Sequence, residues 1–220
     1  YLRQTGAMPE GDVVWQTARR LHQALAGRTL TRSDFRVPRL ATADLTGDVV
    51  TETASRGKHL LTRTRNGLTV HTHLRMDGSW RVRPAAQPLR DSHKIRLILA
   101  NDEWRAVGLQ LGVVELIRTS EEERVTGHLG PDLLGPDWDG AEAVRRLSVE
   151  PARPIGEALL DQRNLAGIGN VYKAELLFLR GIDPWQHVGE VKDLGALADL
   201  ARRLLEANRE RHGHITTGSM

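Results

Sequence analysis

Cysteine is absent from the 220-residue sequence. That single absence closes off two chemistries, because no disulfide can staple the fold and no thiolate can ligate a metal. No apolar run approaches the roughly 18 residues that a membrane-spanning helix needs. The first eight residues carry one charge and no apolar segment of the kind that makes a secretory signal. These absences lead to the expectation of a soluble, cytoplasmic protein. An excess of one charge is also nearly missing: 31 Lys and Arg stand against 28 Asp and Glu, a small surplus for a chain that would bind a polyanion.

What is present is ordinary globular composition, 40% apolar and 27% charged, on a chain long enough for one large domain or two modest ones. The basic residues cluster, in RTLTRSDFRVPR, SRGKHLLTRTR, RMDGSWRVR and ARRLLEANRERHGH. Such clusters suit a phosphate-binding surface or a mixed, solvated one, and composition does not separate the two. Among nine histidines only His71 with His73, and His212 with His214, lie close together. A pair two apart in a strand shares a face but lacks a third ligand, so it reads as polar surface, and no metal site is expected.

Periodicity divides the chain. DVVWQTARRLHQAL places Val14, Trp15, Ala18, Leu21 and Leu25 at helical spacing, with Asp12 as a cap and Gly27 as a stop. From Arg28 to about Ile117 the period becomes two. HLLTRTRNGLTVHTHL carries Asn66-Gly67 between alternating segments, a strong hairpin signal. SWRVRP, KIRLILAND and LQLGVVELI read as further strands, and several antiparallel strands after one helix suggest a β-sandwich or flattened barrel. After Ser120 the helical period returns in GAEAVRRLSV, PIGEALLDQ, NVYKAELLFLR and DLGALADLARRLLEANRERH. In the last of these Leu194, Leu197, Leu200, Leu204 and Leu205 form one apolar stripe. The fold class expected is α+β, with a boundary around residues 120–135.

The stretch LLDQRNLAGIGNVYKAELLF places Gly167 and Gly169 in a short turn and starts a helix at Asn170. Two glycines let a partner approach the main chain, and free amides at a helix N-terminus suit a phosphate. Asn170 can cap that helix or offer its own amide. An interhelical turn with a glycine C-cap explains the same residues, and spacing alone favours it.

MPEGD before a helix, SRGKHL in a strand, HLRMDGSW, HLGPDLL and DQRNLAGIGNVYKAE occur in that order. Together they resemble the formamidopyrimidine-DNA glycosylase and endonuclease VIII family, enzymes that excise oxidised bases from DNA, over almost all of the chain from Met8 to Gly218. PEGD at the start points to the endonuclease VIII branch, in a bacterial, actinobacterial-like form, which prefers oxidised pyrimidines. The resemblance implies a β-sandwich catalytic domain over 8–125 and a helix-two-turn-helix DNA-binding domain over 126–220. Residues 1–7 stand outside it. It also implies a nucleoid-associated monomer whose partner is double-stranded DNA with an oxidised base or abasic site.

The roles follow residue by residue. In the family the proline after the initiator methionine becomes the chain terminus, which makes Pro9 the nucleophile. A terminal amine with pKa near 7.7–8.0 is partly neutral at physiological pH; it attacks C1′, expels the base and forms a Schiff base. An interior proline is a tertiary amide and does none of this; it suits the first turn of a helix. Glu10 becomes the proton donor, or else an acid favouring a helix N-terminus. Lys58 becomes the strand lysine at the lesion phosphate that assists proton transfer, where in isolation it would be an exposed strand lysine. Arg75 and Met76 fall in the loop that enters the duplex when the nucleotide is flipped out, Met76 as an apolar wedge and Arg75 reaching the orphaned base or a phosphate. Core filling is the plainer part for Met76. Asn170 becomes a phosphate clamp opposite Lys58, His128 a DNA contact, and Tyr172 and Glu175 structural support.

Two departures from the family qualify this reading. Members continue past TTG into a four-cysteine zinc finger that grips the lesion phosphate, whereas this sequence ends Thr216-Thr217-Gly218-Ser219-Met220. No zinc or other cofactor is therefore expected. Tyr1–Ala7 precede the motif, and while they stay attached Pro9 has no free amine. The alternative function is thus a catalytically silent protein that binds damaged or abasic DNA. An RNA-binding reading built on the GIGN turn alone leaves PEGD and HLRMDG without a purpose.

Overall fold

The computed structural model describes residues 9–210. Met8, the segment 1–7, His212, His214 and the 216–220 terminus lie outside the described residues. The chain divides into two units, one of residues 16–55 and 59–126, the other of residues 9–15, 56–58 and 127–210. The architecture is α+β, as the periodicities require.

In the first unit most of α1 (Gly11–Leu25) is followed by eight strands: β1 (Arg32–Phe35), β2 (Val50–Arg56), β3 (His59–Thr64), β4 (Leu68–His73), β5 (Ser79–Pro84), β6 (Ile95–Ala100), β7 (Trp104–Leu109) and β8 (Val113–Arg118). They form two four-stranded sheets, ordered β1-β6-β7-β5 and β2-β3-β4-β8. The Asn66-Gly67 hairpin joins β3 to β4, pairing His59 with His73 and Arg63 with Thr69; Gly67 takes the φ of +76° that such a turn demands. Alternation buries Leu60, Thr62, Val70 and Thr72 on one face, and Trp80 of the other sheet donates to Thr72 Oγ1 at 3.4 Å. The helix seats its apolar stripe here: Ala18, Leu21, Ala24 and Leu25 are buried, and Asn101 Nδ2 donates to the Ala24 carbonyl at 2.9 Å.

LQLGVVELI is not one strand. The backbone turns positive at Gln110 (φ +48°), ending β7 and starting β8 after Gly112, because a two-residue period does not reveal a reversal placed between apolar positions.

The second unit holds α3 (Gly140–Leu147), α4 (Ile155–Leu160), α5 (Asn170–Arg180) and α6 (Leu194–Arg209); a short α2 (Glu123–Thr126) closes the first unit. Leu197, Leu200, Leu204 and Leu205 of α6 pack into one buried cluster with Leu147, Ile155, Leu159, Ile168, Tyr172 and Leu176. Asp139 and Asp193 cap α3 and α6 by accepting from Glu142 N and Ala196 N. Gly181, with φ +61°, ends α5. Among the described residues no helix is long and apolar enough to cross a membrane.

Candidate active site

Three short segments of the second unit meet around a buried carboxylate. Pro9 precedes α1 and is partly buried. Glu10 caps the helix through its carbonyl, which accepts from Val14 N at 3.0 Å, and Gly11 N donates to the Gly167 carbonyl at 2.8 Å. Asp12, expected as the cap, instead accepts the Tyr172 hydroxyl at 2.7 Å. Burial first, and then the Asp12 charge, push that phenol's pKa far upward, so it stays a donor.

The Glu10 side chain is fully buried. Its Oε2 accepts from Gly169 N at 2.7 Å and Tyr172 N at 3.3 Å, and its Oε1 accepts from Val171 N at 2.7 Å. The carboxylate thus occupies the amides at the N-terminus of α5, where the helix dipole favours negative charge. Burial raises its pKa above the ordinary glutamate value, against the pull of the amides of Val171 and Gly169, the Lys58 charge and the amide of Tyr172. Lys58 is shifted the other way. Burial lowers the pKa of its ammonium group, and the Glu10 charge partly restores it. A carboxyl held towards its proton-bearing form beside an amine held towards its neutral form is the pairing that acid–base work requires.

This arrangement changes the part expected of the GIGN turn. Gly167 N donates to Gln162 Oε1 at 3.0 Å and Gly169 N to Glu10, so neither amide is left for a phosphate. The glycines are needed for shape. Gly167 has φ +109°, and a Cβ on Gly169 would lie 2.6 Å from the Glu10 carboxyl carbon. Nor does Asn170 cap the helix, since Gly169 is the N-cap. Asn170 is exposed, with its Oδ1 accepting from Lys173 Nζ at 3.2 Å. Gln162 also donates to the carbonyls of Leu160 and Ile168, at 2.9 and 3.0 Å, which braces the turn from inside.

Lys58 has a support that the sequence reading overlooked. Asp132 is buried, and its two oxygens accept from Gly57 N at 2.8 Å and Leu134 N at 3.1 Å. Gly57 has φ +55°, so the carboxylate anchors the turn that leads into Lys58. Burial raises the Asp132 pKa, and the amides of Gly57 and Leu134 and the charge of Arg56 oppose the rise. Arg56 Nη1 donates to both carboxylate oxygens of Asp137, at 2.7 and 2.9 Å. The signal was available: Asp132 sits in HLGPDLL, from which only His128 was drawn. His128 is exposed on the same unit.

Arg75 and Met76 belong to the first unit. Both are exposed, Met76 by 59%, which excludes core filling as its part. Arg75 has φ +56°. Nearby, His71 departs from the polar-surface expectation. It is buried, its Nδ1 lies 2.9 Å from Glu115 Oε2, and its Nε2 lies 2.8 Å from His59 Nδ1.

Among the described residues no group of three or more His, Cys, Asp or Glu side chains could hold a metal. A four-cysteine zinc site has no donors in this sequence.

The model of the formamidopyrimidine-DNA glycosylase N-terminal domain matches residues 8–109, and that of the same family's H2TH domain matches residues 129–218. A probable endonuclease 8 2 from Streptomyces coelicolor is 62% identical over 96% of this chain and 78% of its own length. A DNA-(apurinic or apyrimidinic site) lyase Nei2 from Mycolicibacterium smegmatis is 47% identical over 96% of this chain and 82% of its own. A solved structure of MutM in complex with DNA containing carbocyclic 8-oxo-G superposes with a TM-score of 0.80 at 24% identity, over 96% of this chain and 85% of that one, a likeness of fold. The chain belongs to the formamidopyrimidine-DNA glycosylase family, whose members combine DNA-glycosylase and abasic-site-lyase activity in base-excision repair.

Proposed function

We propose that this protein removes oxidised pyrimidines from double-stranded DNA and then cleaves the abasic strand, with Pro9 as nucleophile in a chain that begins there. The observation that carries the reading is the Glu10 carboxyl. It is fully buried, held by three amides of the α5 N-terminus and shadowed by the Lys58 charge, one residue from Pro9.

Each step has a residue suited to it. The neutral secondary amine of a terminal Pro9 attacks C1′, the bond from C1′ to the base breaks, and the proton shed by the Pro9 nitrogen passes to the departing base. Glu10 delivers a proton to the sugar oxygen as the ring opens, which leaves an iminium between Pro9 and the sugar. Loss of a C2′ proton then expels the 3′-phosphate by β-elimination, and water releases Pro9 and the unsaturated sugar. Lys58, as a compact cation on a long stem, suits the lesion phosphate, and the lowered pKa of its ammonium allows it to move a proton as well. Exposed Asn170 and His128 are the DNA contacts on the helical unit, with Gly167 and Gly169 shaping the turn beneath. Met76 fills the space left by the flipped nucleotide, and Arg75 reaches the orphaned base.

Borohydride trapping tests the scheme. With a chain that begins at Pro9, duplex carrying an oxidised pyrimidine should yield a covalent adduct. Pro9→Gly should abolish or greatly slow base excision, while Lys58→Ala should weaken the reaction and leave the adduct on residue 9. An adduct that maps to Lys58, or none from the intact proline terminus, would refute the assignment. Faster excision of an oxidised purine than of an oxidised pyrimidine would refute the substrate class.

A further inference from the structure

We infer that His73 is a positioning residue for the Arg75–Met76 wedge, acting through its unprotonated Nδ1. The inference rests on the reading of that loop as the element that enters the duplex. Arg75 is a non-glycine residue in the left-handed region, at φ +56°, a conformation that persists only where its surroundings impose it. Two groups outside the loop do so. The Arg75 amide donates to His73 Nδ1 at 2.9 Å, two residues back at the end of β4. Beneath it lies Gly112, whose amide donates to the His73 carbonyl at 3.0 Å; a Cβ there would fall 2.1 Å from Arg75 Cγ. Within the loop, Gly78 N closes the turn on the Leu74 carbonyl at 2.9 Å. Met76, between these anchors, is thereby held outward.

An accepting Nδ1 carries no proton, so the ring proton of neutral His73 is on Nε2. The ring also has a neighbour on one side. His59, its cross-strand partner, meets it edge-on with centroids 5.0 Å apart. His59 is fixed in turn by His71, and His71 by Glu115. A carboxylate can only accept, so Glu115 places a proton on His71 Nδ1; in the neutral pair His71 Nε2 then accepts from His59 Nδ1.

The test compares substitutions that keep or move the acceptor. His73→Asn puts an amide oxygen where Nδ1 was, whereas His73→Gln puts it one carbon farther out, at the place of Nε2. Single-turnover excision is measured on oxidised-pyrimidine duplex, with 2-aminopurine fluorescence opposite an abasic analogue as the reporter of loop entry. The loss of one hydrogen bond predicts a fall of about 3- to 10-fold for His73→Gln in both readouts, with His73→Asn close to the parent. His73→Gln added to a protein carrying both Arg75→Ala and Met76→Ala should excise no more slowly than that protein alone, since all three act through one element. Gly112→Ala, which displaces Arg75 while leaving His73 intact, should imitate His73→Gln. The inference is overturned if His73→Asn falls as far as His73→Gln, or if His73→Gln further slows the protein that carries both Arg75→Ala and Met76→Ala. If Met76→Ala alone is silent in both readouts, the wedge reading itself fails and takes the inference with it.

Discussion

Replacing Gly169 by alanine isolates the carboxylate cradle. The backbone at Gly169 is extended, at φ −132° and ψ −161°, so alanine adopts it without strain and any effect comes from the added methyl. That methyl would sit 2.6 Å from Glu10 Cδ and 2.7 Å from Oε1, distances at which something must move. Glu10 is no loose chain end, because three amides hold its oxygens. Displacing it sacrifices one or two hydrogen bonds to a charged group at about 1.5–3 kcal/mol each, so Gly169→Ala should destabilise the fold by about 1.5–6 kcal/mol. If Glu10 is the proton donor of the proposed scheme, excision should drop at the same time by about 10²- to 10⁴-fold, the usual worth of general acid catalysis. Urea denaturation and single-turnover excision read the two effects. Gly140→Ala is the control: its methyl meets nothing nearer than 3.6 Å in the first turn of α3, so it should be neutral or slightly stabilising. A Gly169→Ala protein with parental stability and rate would refute the claim that Glu10 is pinned at this helix terminus.

Further expectations rest on single contacts. Asp132→Asn can satisfy only one of the two amides that Asp132 accepts from, and opposing donors at the other should cost about 1–3 kcal/mol; urea titration reads this, and excision should fall with it because the turn into Lys58 loosens. Tyr172→Phe removes a buried donor from Asp12 and should lower stability by about 1–3 kcal/mol, seen as a shift in the urea midpoint without a change in slope. The arginines Arg145 and Arg146 beside Glu142 lower its pKa to about 2 from an ordinary value of 4.5. The stability from those pairs is therefore complete above pH 4.5 and lost as the pH falls through about 2, so Glu142→Gln should melt below the parent at neutral pH and match it at the acid end. For Glu10 the sign is reversed: its raised pKa keeps the proton available above the ordinary value of 4.5, so excision should fall on an alkaline limb that Glu10→Gln removes.

Much of the fold follows from local rules. A strand pair joined through Asn-Gly and an apolar stripe along α6 each depend on residues within a few positions of one another, and each was legible. The β7–β8 reversal was not, since Leu109, Leu111 and Val113 keep the apolar alternation through a turn marked only by the positive φ of Gln110. His71 was misread for a related reason. Two-residue spacing tells which face a side chain occupies, but whether that face is wet depends on what lies over it.

By itself the sequence determined the α+β class and the order of the motifs, and it supplied the candidate groups Pro9, Glu10, Lys58, Arg75, Met76 and Asn170. Only the tertiary structure decided what those groups face. The Gly169 and Gly167 amides of the GIGN turn, free in the linear reading, are taken by Glu10 from 159 residues away and by Gln162 nearby. Asp132, unremarkable in the chain, closes the turn before Lys58 across 75 residues. The reason is physical. A hydrogen-bond donor's partner, and the desolvation that moves a pKa, are set by three-dimensional neighbours, which the spacing of residues along a chain does not encode.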